Sequence, residues 1–289
     1  MGRPYAEVIG DPIAHSKSPL IHNFWLGKLG IDAEYRACHV RPDELADYFT
    51  RRRGDAEWRG CNVTIPHKVA VLQLIDSADP AALNIGAVNT VIQTDEDALL
   101  GFNTDAQGFM EPLIGHLSGV ERTGTWAFII GSGGAARAAA FALWHFGCRL
   151  YFVARNRDAA RAIADDIAAA RSSEIGTMSF EQFQALVLDH PGDWQGDAPL
   201  IVVNASSLGM TGQARLLLDF ARLTAPAIAY DVVYAPLTTE FLSQAEMIGL
   251  PTIDGLQMLV GQAAVAFEKF FGQPAPREHD VELRALLTA

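Results

Sequence analysis

The sequence predicts an α/β fold in two domains with largely parallel β-sheet. Short apolar runs suited to buried strands alternate with helical patterns along the whole chain. A strand, a glycine-rich turn and a helix follow one another at residues 126–146, as in a βαβ unit. The length of 289 residues suits two medium domains better than one.

The first half of the chain alternates strands and helices. The predicted strands are residues 7–10, 34–40 and 60–64, and the predicted helices are residues 19–29 and 42–52. The motif at residues 101–105 precedes a further helix. A stretch with Gly, Ser and Thr at residues 115–125 marks the expected domain boundary.

The second half begins with the strand at residues 126–130. A helix at residues 135–146 and a strand at residues 150–153 complete the βαβ unit. An Ala-rich helix is predicted at residues 159–170. Apolar residues recur at helical spacing in the last long helix, residues 255–271. The remaining predicted strands are residues 200–203, 229–233 and 251–253.

Composition argues against several kinds of protein. The formal net charge of −12 argues against nucleic-acid binding, because phosphate backbones are bound by basic surfaces. Because this net charge repels anions, a small anionic ligand would need local hydrogen-bond donors. The three cysteines include no CxxC pair, so we expect no metal site and a reducing, cytoplasmic compartment. No apolar run reaches the roughly 18 residues of a membrane helix, and no signal peptide is expected.

A glycine-rich turn joins the strand at residues 126–130 to the following helix. The turn consists of Gly131, Ser132, Gly133, Gly134, Ala135 and Ala136. Glycines allow a close backbone approach to a pyrophosphate, and the helix N-terminus presents free N–H groups. We therefore predict a Rossmann-like dinucleotide-binding domain, although the third small residue departs from strict GxGxxG spacing. A tight turn without a ligand is the alternative.

Basic residues follow the second strand of this unit, where the adenosine ribose lies in such folds. Arg155 and Arg157 have guanidinium groups suited to phosphate, which favours the 2′-phosphate of NADP. Asp158 follows them, and an acidic residue there would favour NAD. The expected cofactor is NADP, with NAD as the alternative. Exposed arginines at a helix start are the interpretation without binding.

A pair of serines follows the first strand. Alternate residues of an extended segment point the same way, so Ser16 and Ser18 could present two hydroxyls to a carboxylate. Pro19 would begin the helix behind them. The alternative is a helix cap, for which serine is equally suited.

A lysine follows the strand at residues 60–64. Strand alternation puts Asn62 and Thr64 on one face, and Pro66 is expected to end the strand. Lys68 would then lie just past the strand end, where ligands bind to α/β sheets. A lysine in that position can act as a general acid–base group. The alternative is an ordinary exposed lysine.

Two further polar residues have both a functional and a structural interpretation. Asp105 could orient Lys68 and hold a substrate hydroxyl between them, or it could belong to a helix N-cap. Gln262 lies in a strongly apolar helix, where a buried amide needs hydrogen-bond partners. Its alternative is partial exposure at the helix edge.

Eight motifs in register resemble the shikimate dehydrogenase family over nearly the whole chain. They are GDPIAHSKSPLIHN, NVTIPHK, GAVNT, GFNTDAQGF, GSGGAARA, VNASSLGM, YDVVYAPLTTEFL and DGLQMLVGQAAVAFE.

The resemblance implies a reaction and a set of residue roles. The family interconverts 3-dehydroshikimate and shikimate by hydride transfer with NADP(H), and Lys68 and Asp105 would form the acid–base pair. The residues expected at the substrate carboxylate are Ser16, Ser18 and Tyr234. Those expected at the ring hydroxyls are Thr64, Asn89, Asp105 and Gln262. Those expected at the nicotinamide are Met210, Val232 and Gly255.

The resemblance also implies a domain plan. Residues 1–115, completed by the C-terminal helices at 256–289, would form an N-terminal α/β substrate domain that carries catalysis. Residues 116–255 would bind the dinucleotide, and the active site would lie in the cleft.

No metal or membrane partner is implied, and a monomer and a homodimer are both open.

The chain departs from the family at two places. Where the family has an Asn-Arg-Thr motif, Arg155, Asn156 and Arg157 are aligned, so the basic character is kept in an altered order. Ser132 stands where alanine is usual.

Three alternatives to an NADP-dependent shikimate dehydrogenase are open: an NAD-dependent quinate/shikimate dehydrogenase, an aminoshikimate-type paralogue, and a non-catalytic metabolite sensor. A sensor should lack the Lys68–Asp105 pair or carry a nucleic-acid-binding extension.

Overall fold

The computed structural model describes residues 2–119, 125–168, 175–189, 199–220 and 226–289. Contacts divide the chain into two compact units. Unit 1 consists of Met1–Thr104 and Val260–Ala289, and unit 2 consists of Asp105–Leu259. No helix among the described residues is long and apolar enough to cross a bilayer.

Unit 1 contains a mixed six-stranded sheet. Its strands are β1 (Tyr5–Gly10), β2 (Glu34–His39), β3 (Trp58–Val63), β4 (Ser77–Ala78), β5 (Thr90–Gln93) and β6 (Leu99–Phe102), in the order β2-β1-β3-β5-β6-β4. Strand β1 is parallel to β2 and β3, as expected. Strand β5 is antiparallel to both of its neighbours, β3 and β6, and a tight turn with Asp97 at φ 59° joins it to β6.

Unit 2 contains a parallel six-stranded sheet. Its strands are β7 (Trp126–Ile130), β8 (Arg149–Val153), β9 (Gly176–Met178), β10 (Leu200–Asn204), β11 (Ala227–Asp231) and β12 (Thr252–Ile253). The order β12-β11-β10-β7-β8-β9 reverses direction between β7 and β10, which is the doubly wound, Rossmann-like arrangement. The predicted fold class is confirmed, and ligands of such sheets bind at the C-terminal strand ends beside this reversal.

The helices that the sequence predicted are present, together with others that it did not predict. They are α1 (Ser18–Leu29), α2 (Leu45–Arg52), α3 (Pro80–Ile85), α4 (Asp105–His116), α5 (Gly134–Phe146), α6 (Arg157–Ala168), α7 (Phe180–Asp189), α8 (Glu240–Met247), α9 (Gly255–Phe271) and α10 (Asp280–Thr288). Helix α9 has the predicted bounds, whereas the helix predicted at 42–52 opens as a 3₁₀ turn, Pro42–Glu44. Residues 169–170 of the predicted helix 159–170, and residues 120–124 of the predicted boundary, lie outside the described residues.

Helix α4 belongs to unit 2 by its contacts, although the sequence analysis placed it in the first domain. It packs against α5. The hydroxyl of Tyr230 in β11 donates to the carbonyl of Phe109 (3.1 Å), and the two rings stack with centroids 4.5 Å apart. These contacts join α4 to the parallel sheet of unit 2.

The core of unit 1 includes a buried histidine. His22 of α1 is fully buried and stacks on Tyr35, with ring centroids 3.9 Å apart and planes inclined by 4°. Trp25 and Phe267 pack around the same ring. Neither ring nitrogen of His22 has a hydrogen-bond partner among the described residues. Burial lowers the pKa of His22 to about 3, so the imidazole is neutral in the folded chain.

We expect His22 to make the folded state sensitive to acid. The unfolded chain binds a proton near pH 6.5, whereas the folded chain resists protonation until about pH 3. Stability is therefore unaffected above pH 6.5 and is lost as the pH falls below it, by about 2 kcal/mol at pH 5. Denaturant unfolding at pH 7 and pH 5 should show this loss in the wild type and much less of it in His22→Phe. The exposed His15→Gln variant should retain the wild-type loss, and an equal pH response in all three proteins would contradict the assignment.

Candidate active site

A buried polar cluster lies at the centre of unit 1. The Oδ1 atom of Asn89 accepts the backbone N–H of Thr104 (2.7 Å), and its Nδ2 atom donates to the Thr104 hydroxyl (2.9 Å). The same Nδ2 atom lies 3.4 Å from Oε1 of Gln262 in helix α9. All three side chains are buried, so Gln262 is a core amide with partners, and its predicted alternative of partial exposure is wrong.

A second layer of hydrogen bonds supports this cluster. The hydroxyl of Tyr35 donates to Oδ1 of Asn62 (2.6 Å). The Nδ2 atom of Asn62 then donates to the backbone oxygen of Asn89 (3.2 Å) and to the hydroxyl of Thr90 (3.0 Å). Sequence reasoning found Asn62 by strand alternation. It missed Tyr35 and Thr90, because nothing local in the sequence distinguishes them from ordinary strand residues.

Backbone hydrogen bonds hold the segment around Lys68 on both sides. The strand ends at Val63, before Thr64 and Pro66, so Lys68 follows a turn and does not lie directly past the strand end. The backbone N–H of His67 donates to the Thr64 carbonyl (3.0 Å). The carbonyl of Lys68 accepts the N–H of Val88 (2.7 Å). The half-buried Lys68 side chain is therefore carried on a fixed backbone.

The serine pair does not form the extended segment that was predicted. Ser18 is the first residue of α1, one residue before the predicted start, and Pro19 follows it in the first turn. The Oγ atom of Ser16 lies 3.3 Å from the backbone nitrogen of Ser18 and accepts its N–H, whereas the N-cap of α1 is Lys17, without a side-chain cap. Ser18 is buried and Ser16 is half-buried. Their proposed contact with a carboxylate therefore rests on the resemblance rather than on strand alternation.

Asp105 and Tyr234 belong to unit 2. Asp105 is the first helical residue of α4, and its side chain is buried. Tyr234 is half-buried and follows β11. Burial raises the pKa of the Tyr234 phenol, which therefore stays protonated at neutral pH and can donate a hydrogen bond.

The glycine-rich turn is shaped to receive a phosphate. Gly131 has φ +123°, and a Cβ atom there would lie 2.8 Å from the carbonyl oxygen of Ala205. A Cβ atom at Gly133 would meet nothing within 4 Å. Helix α5 begins at Gly134 without a side-chain cap in the described structure, so no capping side chain accepts its first N–H groups. Ser132 and Ala135 are half-buried and Ala136 is buried. This geometry fits a pyrophosphate.

The basic segment follows β8, the strand next to β7. Arg155, Asn156 and Arg157 are all exposed. The Oδ1 atom of Asn156 accepts the N–H of Ala159 (3.0 Å), so this side chain caps α6. Asp158 lies in the first turn of α6, where a negative charge interacts favourably with the helix dipole. The two arginines thus flank a helix start at the C-terminal edge of the sheet.

A polar network joins the ends of β10 and β11. The buried Asp231 carboxylate accepts hydrogen bonds from the Asn204 amide (3.0 Å), the Val233 N–H (2.9 Å) and the Thr239 hydroxyl (2.6 Å). Burial raises the pKa of Asp231 to about 6, although these hydrogen bonds oppose the shift. Sequence reasoning missed this network, whose members lie in two of the quoted motifs.

Of the three residues expected at the nicotinamide, Met210 and Val232 lie in loops at this sheet edge and Gly255 begins helix α9. A Cβ atom at Gly255 would lie 2.3 Å from the Val232 carbonyl oxygen, so only glycine fits there. Met210 is partly exposed, in the turn after β10. The N–H of the next residue, Thr211, donates to the carbonyl of Ala235 (2.9 Å), which holds that turn beside the loop that follows Val232.

Two family models match the chain. The shikimate dehydrogenase substrate binding domain matches residues 8–91, and the shikimate 5′-dehydrogenase C-terminal domain matches residues 255–281. The chain is 47% identical over 287 residues to a shikimate dehydrogenase (NADP(+)) of Sphingopyxis alaskensis, covering 99% of this chain and 97% of the relative.

Solved structures are similar along almost the full length. One is the shikimate 5-dehydrogenase of Thermus thermophilus in complex with NADP(H) and shikimate, with a TM-score of 0.81, 32% identity, and 98% and 99% of the two chains covered. Another is the quinate dehydrogenase of Corynebacterium glutamicum in complex with NAD, with a TM-score of 0.86, 27% identity, and 98% and 99% covered.

We expect the two glycines of the turn to respond differently to alanine. Gly131→Ala should lower the free energy of unfolding by about 1–3 kcal/mol, because its φ is strained for alanine and its Cβ meets the backbone of Ala205. Gly133→Ala should stay within about 1 kcal/mol of the wild type, since its φ of −97° is ordinary and its Cβ is unobstructed. Denaturant unfolding of both variants tests this, and equal losses would contradict the described turn.

Proposed function

The chain belongs to the shikimate dehydrogenase family, and we propose that it catalyses the reversible, NADP-dependent reduction of 3-dehydroshikimate to shikimate. The observation that carries the proposal is the similarity over 99% of the chain to a relative of that name. Relatives at 44% and 39% identity bear the same name. The quinate dehydrogenase with bound NAD is less similar, at 27% identity, so that alternative is not favoured.

We propose that neutral side chains hold the ring hydroxyls of the substrate. Asn89 and Gln262 already share a buried polar cluster, and each amide offers both a donor and acceptors. Such groups recognise hydroxyls specifically, because an analogue without the hydroxyl leaves them unpaired. The full set proposed for this role, which adds the Asp105 carboxylate, is Thr64, Asn89, Asp105 and Gln262.

Neutral donors are also suited to the substrate carboxylate. The chain carries a net charge of −12, so the overall field repels an anion and local hydrogen bonds must compensate. Ser16, Ser18 and Tyr234 each offer a hydroxyl, and the raised pKa of Tyr234 keeps its proton in place. We propose these three residues as the carboxylate contacts.

Lys68 and Asp105 are the proposed acid–base pair. When bound, NADP(H) supplies or accepts the hydride at the ring carbon. In the reduction, the Lys68 ammonium donates a hydrogen bond to the developing alkoxide and then gives up its proton. The Asp105 carboxylate orients the ammonium and the substrate hydroxyl. No metal has a role in this scheme.

The dinucleotide is proposed to bind along the C-terminal edge of the unit 2 sheet. Residues 131–136 would hold the pyrophosphate through backbone N–H groups. Arg155 and Arg157, with Asn156 between them, would hold the 2′-phosphate of NADP. The nicotinamide would lie against Met210, Val232 and Gly255.

We propose the same division of labour along the chain as the family shows. The sequence placed the substrate domain at residues 1–115 with 256–289 and the dinucleotide domain at residues 116–255; because α4 belongs to unit 2, we propose these two roles for unit 1 and unit 2. All three cysteines are free thiols, which suits the reducing cytoplasm that we predicted. Monomer and homodimer are both compatible with this scheme.

We expect Lys68→Ala to lower kcat for shikimate oxidation with NADP by about 10²–10⁴-fold, because a general acid–base group contributes on that scale. The KM for shikimate should change much less. Lys28→Ala is the control, since Lys28 forms a surface ion pair with Glu282 and should leave both constants near wild type. A Lys68→Ala enzyme with near-normal kcat would exclude Lys68 from proton transfer.

We expect Arg155→Ala combined with Arg157→Ala to lower kcat/KM for NADP selectively. The 2′-phosphate accepts charge-assisted hydrogen bonds that NAD cannot offer, so NAD use should stay almost unchanged. Arg161→Ala, on the same helix α6, is the matched control. Equal losses with both cofactors, or a wild-type preference for NAD selected by Asp158, would overturn this assignment.

A further inference from the structure

Asp231 carries a buried negative charge held only by neutral groups. It is fully buried at the end of β11, and its hydrogen-bond donors are an amide, a backbone N–H and a hydroxyl, from Asn204, Val233 and Thr239. Among the described residues no cationic side chain pairs with it. Its pKa is about 6, so at pH 8 the carboxylate is an anion in a site that disfavours charge.

The hydrogen bonds that Asp231 accepts do not by themselves explain why the residue at this position is charged. An asparagine has the same shape and could accept the hydrogen bonds of Asn204 and Val233 with its single oxygen. A neutral side chain would also avoid the unfavourable desolvation of a buried ion. A cation that binds near Asp231 would offset that desolvation.

The position of Asp231 is fixed relative to the loops proposed for the nicotinamide. Val232 is the next residue, and its N–H donates to the Asn204 carbonyl (3.0 Å). The carbonyl of Val232 lies against Gly255 at the start of α9. The Asn204 amide also donates to the carbonyl of Leu208 (2.9 Å), in the segment that leads to Met210. One hydrogen-bond network therefore holds Asp231 and the segments of Val232 and Leu208, and Gly255 packs against Val232.

We propose that the Asp231 carboxylate favours binding of the oxidised nicotinamide over the reduced one. The oxidised ring carries a positive charge, and the reduced ring is neutral, so a fixed buried anion stabilises only the first. This inference rests on the proposed function, because it takes the nicotinamide to lie at Val232 and Gly255. For charges roughly 10 Å apart at an effective dielectric constant of about 20, the preference is on the order of tenfold.

The test compares dissociation constants for NADP⁺ and NADPH at pH 8, measured by calorimetry or by cofactor fluorescence without turnover. Asp231→Asn should weaken NADP⁺ binding about tenfold relative to NADPH. Glu240→Gln is the matched control: it removes a negative charge from an exposed residue beside Thr239, where water screens it. That variant should keep the wild-type ratio of the two constants.

Each outcome decides the matter. An unchanged ratio of the two dissociation constants in Asp231→Asn would overturn the inference. If both affinities also fell by the same factor, the role of Asp231 would be purely structural. Thr239→Val removes one hydrogen bond but keeps the charge, so it should lower stability and retain the ratio. Asp231→Ser, a second neutral variant, supplies the measurement if Asp231→Asn does not fold. A wild-type chain that binds neither cofactor form would overturn the proposed function itself, whereas intact binding with an unchanged ratio overturns this inference alone.

Discussion

The hydrogen bonds between Asn89 and Thr104 fix the part of unit 1 on which the proposed substrate site depends. They join the start of β5 to the end of β6, and Gln262 brings helix α9 to the same point. A buried amide is stable only when it is paired, so the cluster holds its own geometry before any ligand binds. Two members of this cluster, the Asn89 and Gln262 amides, are among the groups proposed for the ring hydroxyls.

Buried polar side chains that hydrogen-bond one another also fix the loops of unit 2. Its polar network stands at the ends of β10 and β11, where a parallel sheet binds ligands, and it has a carboxylate at its centre. The close packing of Gly131 on Ala205 places the glycine-rich turn beside that network. The missing side chain of Gly131 thus lets the backbone of the turn pack closely on Ala205, and buried polar side chains fix the loops.

Sequence patterns predicted the elements whose periodicity is strong. Helix α9 and the unit from β7 through α5 to β8 follow from apolar spacing and a glycine-rich turn, which are local signals. The antiparallel β5 was not predicted because its four residues are too few for a clear periodicity; it pairs with β6 across a tight turn and with the more distant β3. The serine pair was misjudged because the segment between the two serines is not extended: Lys17 has helical dihedral angles and Ser18 already belongs to α1. Tyr35 joins the site only through tertiary hydrogen bonding to Asn62.

The central claim is that this chain oxidises shikimate with NADP, and initial rates with purified protein test it most directly. The measurement compares kcat/KM for shikimate and for quinate, each with NADP and with NAD. The account predicts the highest value for shikimate with NADP. A higher value for quinate with NAD, or no turnover of either substrate, would contradict it.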